Sequence, residues 1–264
     1  MMNQRYIPEE ADIVSRCRAV TKPGSYYLLP EANRVETVLP GFKGAFSRVL
    51  VTPSVGAGFI QHELHIEPGG GTEKPISNRL EHFLFVLEGN LTVVIEGEKR
   101  ELDEGGYVYL PEKTDFTIEN TGNRKSRVLW TKKQYKKIDG VKPQLIVSNE
   151  KRVEAVPVDT YMEQHLIPHE EDISYDLAFN ILNFEPGIYF GFVESHIMEH
   201  GIYMLEGRGL YWLGGDYHEV QKDDYIYIAP YCPQFFYSTG WERGRYLLYK
   251  DVNRDFDGDL QIGE

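Results

Sequence analysis

The chain has 264 residues, 41% of them hydrophobic and 13% aromatic, which is enough to bury two cores of ordinary domain size. Its formal net charge of −13 argues against nucleic acid or an anionic membrane as a partner, because both are bound through basic surfaces. Only Cys17 and Cys232 are present, the N-terminal segment lacks an apolar leader, and no run approaches a membrane span, so we expect a cytoplasmic protein.

Short strands are predicted along most of the chain, because apolar and polar residues alternate with a period of two and few windows show a helical period. This pattern predicts an all-β protein with little helix. Within residues 1–40, the strand-like piece 26–29 lies between turns marked by Pro-Gly pairs. We expect this piece to edge the first of two β domains.

The segment 133–171 is charged and is interrupted by a glycine and three prolines. It is therefore predicted to be a linker that crosses between the two domains. We place the boundary near residue 145, which predicts an N-terminal domain at 1–145 and a C-terminal domain at 146–264.

The two predicted domains are copies of one module. When the sequence is aligned with itself at an offset of 118 residues, the distance from His82 to His200, much of its middle matches without a gap. The matched pairs include Glu88 and Glu206, Gly89 and Gly207, Tyr107 and Tyr225, Arg127 and Arg245, and Lys132 and Lys250. Residues shared by both copies are expected to serve the fold, and residues unique to one copy are candidates for function.

A candidate metal site is unique to the second copy. Glu194 and His196 are two residues apart in a segment predicted as strand, so they would project from the same face, and His200 follows a bend. Gln234 follows the apolar strand 225–228, and a barrel could bring it across to the other three. One carboxylate, two imidazoles and one amide oxygen suit a single divalent ion.

The first copy cannot supply the same ligands. Only His82 is retained, and the positions that match the other three candidates hold Ile76, Asn78 and Phe116. We therefore expect His82 to be a packed remnant of a common ancestor and the first domain to lack a complete metal site.

The spacing Glu194-x-His196-x3-His200-x6-Gly207 resembles the first cupin motif, with the usual positions of Glu and His exchanged, and Gln234 stands where the second motif usually has His. This permuted set is similar to that of the (S)-ureidoglycine aminohydrolases, bicupins that use manganese in their second cupin. The resemblance extends over further segments, namely 201–213, 228–234 and 245–255.

The resemblance implies a bicupin fold of two tandem double-stranded β-helix (jelly-roll) barrels, with Mn²⁺ and the active site in the second. It also implies a small-molecule ureido substrate: (S)-ureidoglycine would be hydrolysed to (S)-ureidoglycolate and ammonia in allantoin degradation, a step of purine catabolism. Ligand affinity alone would favour zinc, so the manganese assignment depends on the resemblance. Cupins commonly associate through sheet edges and apolar faces, which predicts a homo-oligomer.

By position, Tyr211, Tyr246 and Lys250 match residues that line the pocket of that family, and with Glu194 they are the predicted substrate-binding groups. A tyrosine could exchange a proton or a hydrogen bond with the departing amine, and the lysine could hold a carboxylate or ureido oxygen. The alternatives are that both tyrosines belong to the core and that Lys250 serves the fold, since Lys132 occupies its place in the first copy.

Two other functions remain open at this stage. One is another metal-dependent bicupin enzyme, such as an oxalate decarboxylase or a dioxygenase, which usually presents three His and one Glu. The other is a non-enzymatic cupin of the sugar-binding or seed-storage type, which needs no intact ligand set.

The remaining histidines are not predicted to bind metal. His165 and His169 have the spacing of a helical metal pair, but Pro168 would interrupt the helix. His218 is placed in a turn. We expect all of the following to be solvated: His62, His65, His165, His169 and His218.

Overall fold

The computed structural model describes residues 17–168 and 172–251, and most of its regular structure is β-strand. Three short 3-10 helices lie at Glu31–Asn33, Pro53–Val55 and Glu150–Arg152. Within the described residues, no helix is long and apolar enough to span a membrane. The prediction of an all-β fold with little helix is confirmed.

The strands follow one another at short intervals along both halves of the chain. Those of the first half are β1 (Val20–Lys22), β2 (Tyr26–Leu29), β3 (Glu36–Thr37), β4 (Phe42–Val51), β5 (Phe59–Thr72), β6 (Leu80–Glu88), β7 (Leu91–Ile95), β8 (Glu98–Leu102), β9 (Gly106–Leu110), β10 (Phe116–Glu119) and β11 (Ser126–Gln134). Those of the second half are β12 (Ile146–Asn149), β13 (Val156–Val158), β14 (Tyr161–His165), β15 (Leu177–Phe184), β16 (His200–Glu206), β17 (Arg208–Leu213), β18 (Asp216–Gln221), β19 (Tyr225–Ile228), β20 (Gln234–Ser238) and β21 (Gly244–Asp251).

The strands form two barrels. The first barrel is a ten-stranded sheet ordered β12-β9-β6-β11-β5-β10-β7-β8, with β4 against β5 and β3 against β4. The second barrel combines an eight-stranded sheet, ordered β1-β2-β19-β16-β21-β15-β14-β13, with a three-stranded sheet, β18-β17-β20. Strand pairs throughout are antiparallel.

The internal repeat is visible in the register of the two barrels. His82 on β6 lies opposite Lys132 on β11, and His200 on β16 lies opposite Lys250 on β21. Both pairs preserve the offset found in the sequence, so the self-alignment predicted equivalent positions in space.

The two barrels exchange edge strands. Strand β2 pairs with β19 of the second barrel, with Tyr27 opposite Tyr227, whereas β12 pairs with β9 of the first barrel, with Val147 opposite Val108. The prediction that residues 26–29 edge the first domain is therefore wrong. The segment 133–171 is also more regular than the predicted linker, because β12, β13 and β14 lie within it.

Apolar side chains fill each barrel and the surface between the barrels. The first interior includes Leu64 and Val128, and the second includes Tyr211 and Phe236. Between the barrels, the ring of Phe83 stacks on that of Phe179 with centroids 3.6 Å apart, and Phe59 contacts Tyr249 at 3.8 Å. The interface thus joins aromatic rings from both copies of the repeat.

A buried network of charges also joins the two barrels. Glu63 on β5 is fully buried and forms ion pairs with Arg34 and with Arg127, the latter at 2.9 Å. Arg127 also donates to Asp223 at 2.8 Å and to the Tyr203 hydroxyl at 2.7 Å, both in the second half of the chain. Each buried charge therefore has a partner of opposite sign, as burial requires.

Candidate metal centre

The segment that carries the first candidate ligands is a loop, although the sequence pattern predicted a strand. Glu194 makes one isolated bridge with Gln234, in which the two backbone amides donate to the opposite carbonyls at 2.9 Å. The carbonyl of His196 accepts from the backbone amide of Tyr231 at 2.7 Å, and His200 begins β16. These contacts attach the loop to the start of β20.

The structure brings two candidate imidazoles and the candidate amide together. The Nε2 atoms of His196 and His200 are 3.2 Å apart, and the side-chain nitrogen of Gln234 lies 3.3 Å from Nε2 of His196. The two rings are nearly perpendicular, at 76°. His200 and Gln234 are buried, with 3% and 2% of their surfaces exposed.

This spacing fits two ligands of one metal ion. Nitrogen ligands about 2.0 to 2.2 Å from the same ion lie roughly 2.8 to 3.6 Å apart across octahedral (cis) and tetrahedral angles. The observed separation of the Nε2 atoms, 3.2 Å, is within that range.

Both imidazoles are held in the neutral form that binds metal. Burial lowers the pKa of His196, and the charge of Lys250 lowers it further. Burial, followed by the neighbouring His196 and Lys250, holds the pKa of His200 well below its usual range. Neutral imidazole has a free ring nitrogen for coordination, so the pair needs no deprotonation near pH 7.

Glu194 lines the same cavity but does not complete a cluster with the histidines. Across residues 17–168 and 172–251, no three His, Cys, Asp or Glu side chains stand close enough together to form a ready-made metal site. Burial raises the pKa of the Glu194 carboxyl, Glu163 raises it further, and Lys250 lowers it. For Glu194 to bind the same ion as the histidines, its carboxylate would have to come closer to them.

The amide of Gln234 is oriented by Tyr211. The Tyr211 hydroxyl donates to the amide oxygen of Gln234 at 3.3 Å, which leaves the amide nitrogen facing His196. A metal ligand must be the oxygen, so coordination requires the reverse orientation, with the amide nitrogen donating to Tyr211. In either orientation, the tyrosine is the partner of the amide.

The other predicted substrate-binding residues also line this cavity, which has a volume of about 140 Å³. Tyr211 and Tyr246 are each 1% exposed. Burial raises the pKa of both hydroxyls above their usual range, so both remain protonated near neutral pH. Lys250 lies opposite His200 on the neighbouring strand.

One acidic lining residue was missed by the sequence analysis. Glu163 on β14 faces the same cavity as the candidate ligands. Its counterpart in the first copy is Ser47, because Glu163 lies opposite Leu182 and Ser47 lies opposite Leu64, the residue that the 118-residue offset aligns with Leu182. Glu163 is therefore unique to the second copy, as are Glu194 and His196.

The corresponding region of the first barrel is packed. His82 is 1% exposed, its Nδ1 accepts from the indole of Trp130 at 3.1 Å, and its Nε2 lies 3.0 Å from Asn78. The Lys132 ammonium lies over the Trp130 ring, 4.3 Å from its centre. The interpretation of His82 as a packed residue is confirmed.

Some predictions for the other histidines are wrong. His62 and His65, expected to be solvated, are 6% and 7% exposed; His62 contacts Ser47 at 2.8 Å, and His65 stacks on Phe46. His218 lies on β18 rather than in a turn. His165 ends β14, so it is not in a helix, and His169 lies outside the described residues.

Sequence comparison relates the chain to proteins of known activity. The family described as the cupin domain matches residues 62–132. An (S)-ureidoglycine aminohydrolase of Escherichia coli (strain K12) is 33% identical over 245 residues, covering 91% of this chain and 93% of that protein. The (S)-ureidoglycine aminohydrolase of Arabidopsis thaliana is 28% identical over 247 residues, with coverage of 92% and 81%.

Structural comparison gives the same relationship. The crystal structure of protein Ylba from E. coli superposes with a TM-score of 0.84 at 31% identity, covering 93% of this chain and 98% of that one. A putative glyoxylate-induced protein from Pseudomonas aeruginosa gives 0.84 at 34% identity, with coverage of 92% and 93%. Oxalate decarboxylase from Bacillus subtilis gives 0.69 at 11% identity, covering 91% and 83%, which shows a shared fold alone. At this level of identity and coverage, the chain belongs to the (S)-ureidoglycine aminohydrolase family of bicupin proteins.

Proposed function

We propose that this protein is a manganese-dependent hydrolase that releases ammonia from (S)-ureidoglycine and forms (S)-ureidoglycolate, as a step of allantoin degradation. The observation that carries the proposal is the convergence of His196, His200 and Gln234 within one cavity of the second barrel. The relatives that match over most of the chain bear the name of this activity. We further propose a cytoplasmic homo-oligomer.

We propose Glu194, His196, His200 and Gln234 as the metal ligands. The two histidines have the spacing of neighbouring ligands, and Glu194 lines the same cavity. When bound, a divalent ion supplies Lewis acidity and a positive charge that orients an anionic substrate. Hard oxygen ligands beside two imidazoles, without thiolate, are compatible with Mn²⁺.

The protein's own side chains would bind and orient the substrate. Lys250 supplies a positive charge at the cavity wall, where a carboxylate or ureido oxygen can be held. Tyr211 and Tyr246 are proposed to donate hydrogen bonds, because their raised pKa values keep them protonated. The small volume of the cavity favours a compact substrate and limits the water that can enter with it.

The first barrel is proposed to have a structural role. Its packed His82 and the absence of Glu, His and Gln at the matching positions support a metal-free domain. The division into an N-terminal cupin at 1–145 and a C-terminal cupin at 146–264 is kept as a proposal, with β2 of the first half added to the second barrel and β12 of the second half added to the first.

The test is ammonia release from freshly generated ureidoglycine by manganese-loaded protein, with chiral analysis of the ureidoglycolate that forms. We expect metal-dependent ammonia release with a single (S) product. Chelator-stripped protein and a sample without protein are the controls, and the second of these measures spontaneous decay. A rate equal to spontaneous decay in all samples would overturn the proposed activity, and oxalate would then be tested as the substrate.

A further inference from the structure

Glu163 is an acidic side chain whose position is not explained by the fold or by the proposed metal ligands. It lies in the middle of β14, and only 7% of its surface is exposed. Tyr161, two residues earlier, is also buried, whereas Met162 between them is 39% exposed. Side chains on a strand alternate between faces, so Glu163 points into the second barrel.

The strand register places Glu163 in a row with residues of the candidate active site. It lies opposite Leu182 on β15, and Leu182 lies opposite Tyr246 on β21. Residues opposite one another in antiparallel strands project from the same face. Glu163 and Tyr246 therefore line the same wall of the cavity that holds His196 and Glu194.

The carboxylate of Glu163 is held by a buried amide. The side-chain nitrogen of Asn180, a fully buried residue, donates to Oε1 of Glu163. His165 lies 3.4 Å from the same oxygen. Because both contacts involve Oε1, the carboxylate is oriented by its neighbours while its other oxygen can serve a ligand.

The arrangement of charge in the cavity matches a substrate with both anionic and donor groups. Lys250 provides the positive charge, and two carboxylates, Glu163 and Glu194, line the same cavity. If Glu194 binds the metal, Glu163 is the carboxylate that remains for the substrate. The amine of ureidoglycine presents N–H groups, and a carboxylate is a strong acceptor for them.

We propose that Glu163 is the specificity-determining residue for the substrate amine: its carboxylate, oriented by Asn180, accepts hydrogen bonds from the amino group that is released as ammonia. This inference rests on the proposed function. It assigns Lys250 and the metal to the anionic end of the substrate and Glu163 to the amine. The ligand class is a small ureido compound that carries a carboxylate and an amine on one carbon.

A pair of stable ureido acids isolates the contribution of the amine without requiring turnover. In 2-amino-3-ureidopropionate, one carbon carries both the amine and the carboxylate, whereas 3-ureidopropionate lacks only the amine. The affinity of manganese-loaded protein for each is measured by calorimetry. We expect the wild type to prefer the amine-bearing compound by about tenfold or more, the usual size of a hydrogen bond to a charged group.

The Glu163→Gln variant should lose this preference while it binds 3-ureidopropionate and manganese as the wild type does. Its KM for ureidoglycine should rise by about tenfold or more. Glu163→Asp retains the charge and should retain part of the preference, which serves as the second test if the glutamine variant melts at a lower temperature. Glu185→Gln, at an exposed position just after β15, is the matched control and should change neither affinity.

The binding measurements test the role of Glu163, and the ammonia assay tests the proposed function. If the wild type hydrolyses ureidoglycine but shows no preference between the two ligands, or if Glu163→Gln keeps the preference, the role of Glu163 is overturned and the proposed function stands. If the wild type releases no ammonia above spontaneous decay, the proposed function fails independently of the ligand comparison. Loss of manganese from Glu163→Gln would instead make Glu163 part of the metal site and would also overturn the inference.

Discussion

His196 and His200 present two neutral imidazoles whose Nε2 atoms are 3.2 Å apart. At this distance one neutral ring can donate its Nε2–H to the Nε2 of the other, and a metal ion bound by both nitrogens would take the place of that hydrogen bond. The lowered pKa values keep both rings neutral, so neither carries a charge that would repel a cation. At the scale of single residues, the pair is compatible with the proposed metal site.

The contact between Tyr211 and Gln234 leads to a prediction about metal affinity. In Tyr211→Phe, the amide of Gln234 loses the hydroxyl that orients it. We expect manganese affinity to fall by about 10- to 100-fold, the usual effect of removing a group that orients a ligand. Titration of stripped protein with manganese measures this change. Tyr217→Phe, at a residue that is 69% exposed on β18, is the control, and an equal loss there would contradict the explanation.

At the scale of strands, the alternation of apolar and polar residues predicted the strands that line the site. It could not predict which strands pair with one another at the edges of the sheets. A strand pattern records which face is buried and not which neighbour completes the hydrogen bonds. Strand β2 was therefore assigned to the wrong barrel, although its buried face was readable from the alternation of Tyr26 and Leu28. The loop at Glu194 was predicted as a strand for a similar reason. The spacing of its candidate ligands is that of a strand, but the loop forms only one isolated bridge, between Glu194 and Gln234.

The exchanged strand predicts a long-range effect on stability. Leu28 on β2 is 2% exposed and packs in the interior of the second barrel. We expect Leu28→Ala to lower the free energy of unfolding by about 2 to 5 kcal/mol, through lost burial and the cavity that remains. Hydrogen exchange should then show weaker protection of the β19 amides.

Val38→Ala provides the control for this effect, because Val38 is 80% exposed. Its free energy of unfolding should change by less than about 0.5 kcal/mol. If Leu28→Ala weakened protection in β9 of the first barrel and left β19 unchanged, the pairing of β2 with β19 would be wrong.

At the scale of the whole molecule, the two barrels are coupled by buried charge as well as by aromatic packing. Burial alone would raise the pKa of Glu63, but hydrogen bonding from His65 and the charges of Arg34 and Arg127 outweigh it and lower the pKa. A carboxyl with a lowered pKa in the folded state stabilises the protein above the ordinary carboxyl pKa. This contribution is lost as pH falls from that value toward the folded-state pKa.

The charge network therefore predicts how stability depends on pH. Wild-type stability should decline as pH falls below about 4.3, the ordinary pKa of a glutamate. Glu63→Gln should lower the free energy of unfolding by about 3 to 5 kcal/mol at pH 7, since Arg34 and Arg127 lose a buried partner. When the pH is lowered, the free energy of unfolding of this variant should fall by less than that of the wild type. Urea midpoints at pH 7 and at about pH 3.5 measure both effects. The control is Glu67→Gln, which removes an exposed ion pair with Lys125 and should show the same dependence of stability on pH as the wild type. If Glu63→Gln also showed the wild-type dependence on pH, the assignment of this dependence to Glu63 would be contradicted.

The repeat explains how much of the candidate site was predictable. Comparison of the two copies selected Glu194, His196 and Gln234, because residues that serve only the fold are shared and these are not. Glu163 has no acidic counterpart in the first copy either, but the gapless match does not reach it, because its counterpart Ser47 lies two residues away from the 118-residue offset and Glu163 lies in the segment taken as a linker. The sequence could not predict the distances between these side chains, since Glu194 lines the cavity of the histidines without forming a three-residue cluster with them in the described part of the chain.

The central claim is that the second barrel, and not the first, holds the metal and performs the hydrolysis. The most direct measurement compares the rate of ammonia release from ureidoglycine by manganese-treated wild type, His196→Gln and His82→Gln. The two variants make the same substitution in different barrels. We expect the rate with His196→Gln to fall to that of spontaneous decay and this variant to lose manganese, while folded His82→Gln keeps both manganese and activity. Retained activity in His196→Gln, or loss of manganese in folded His82→Gln alone, would contradict the central claim.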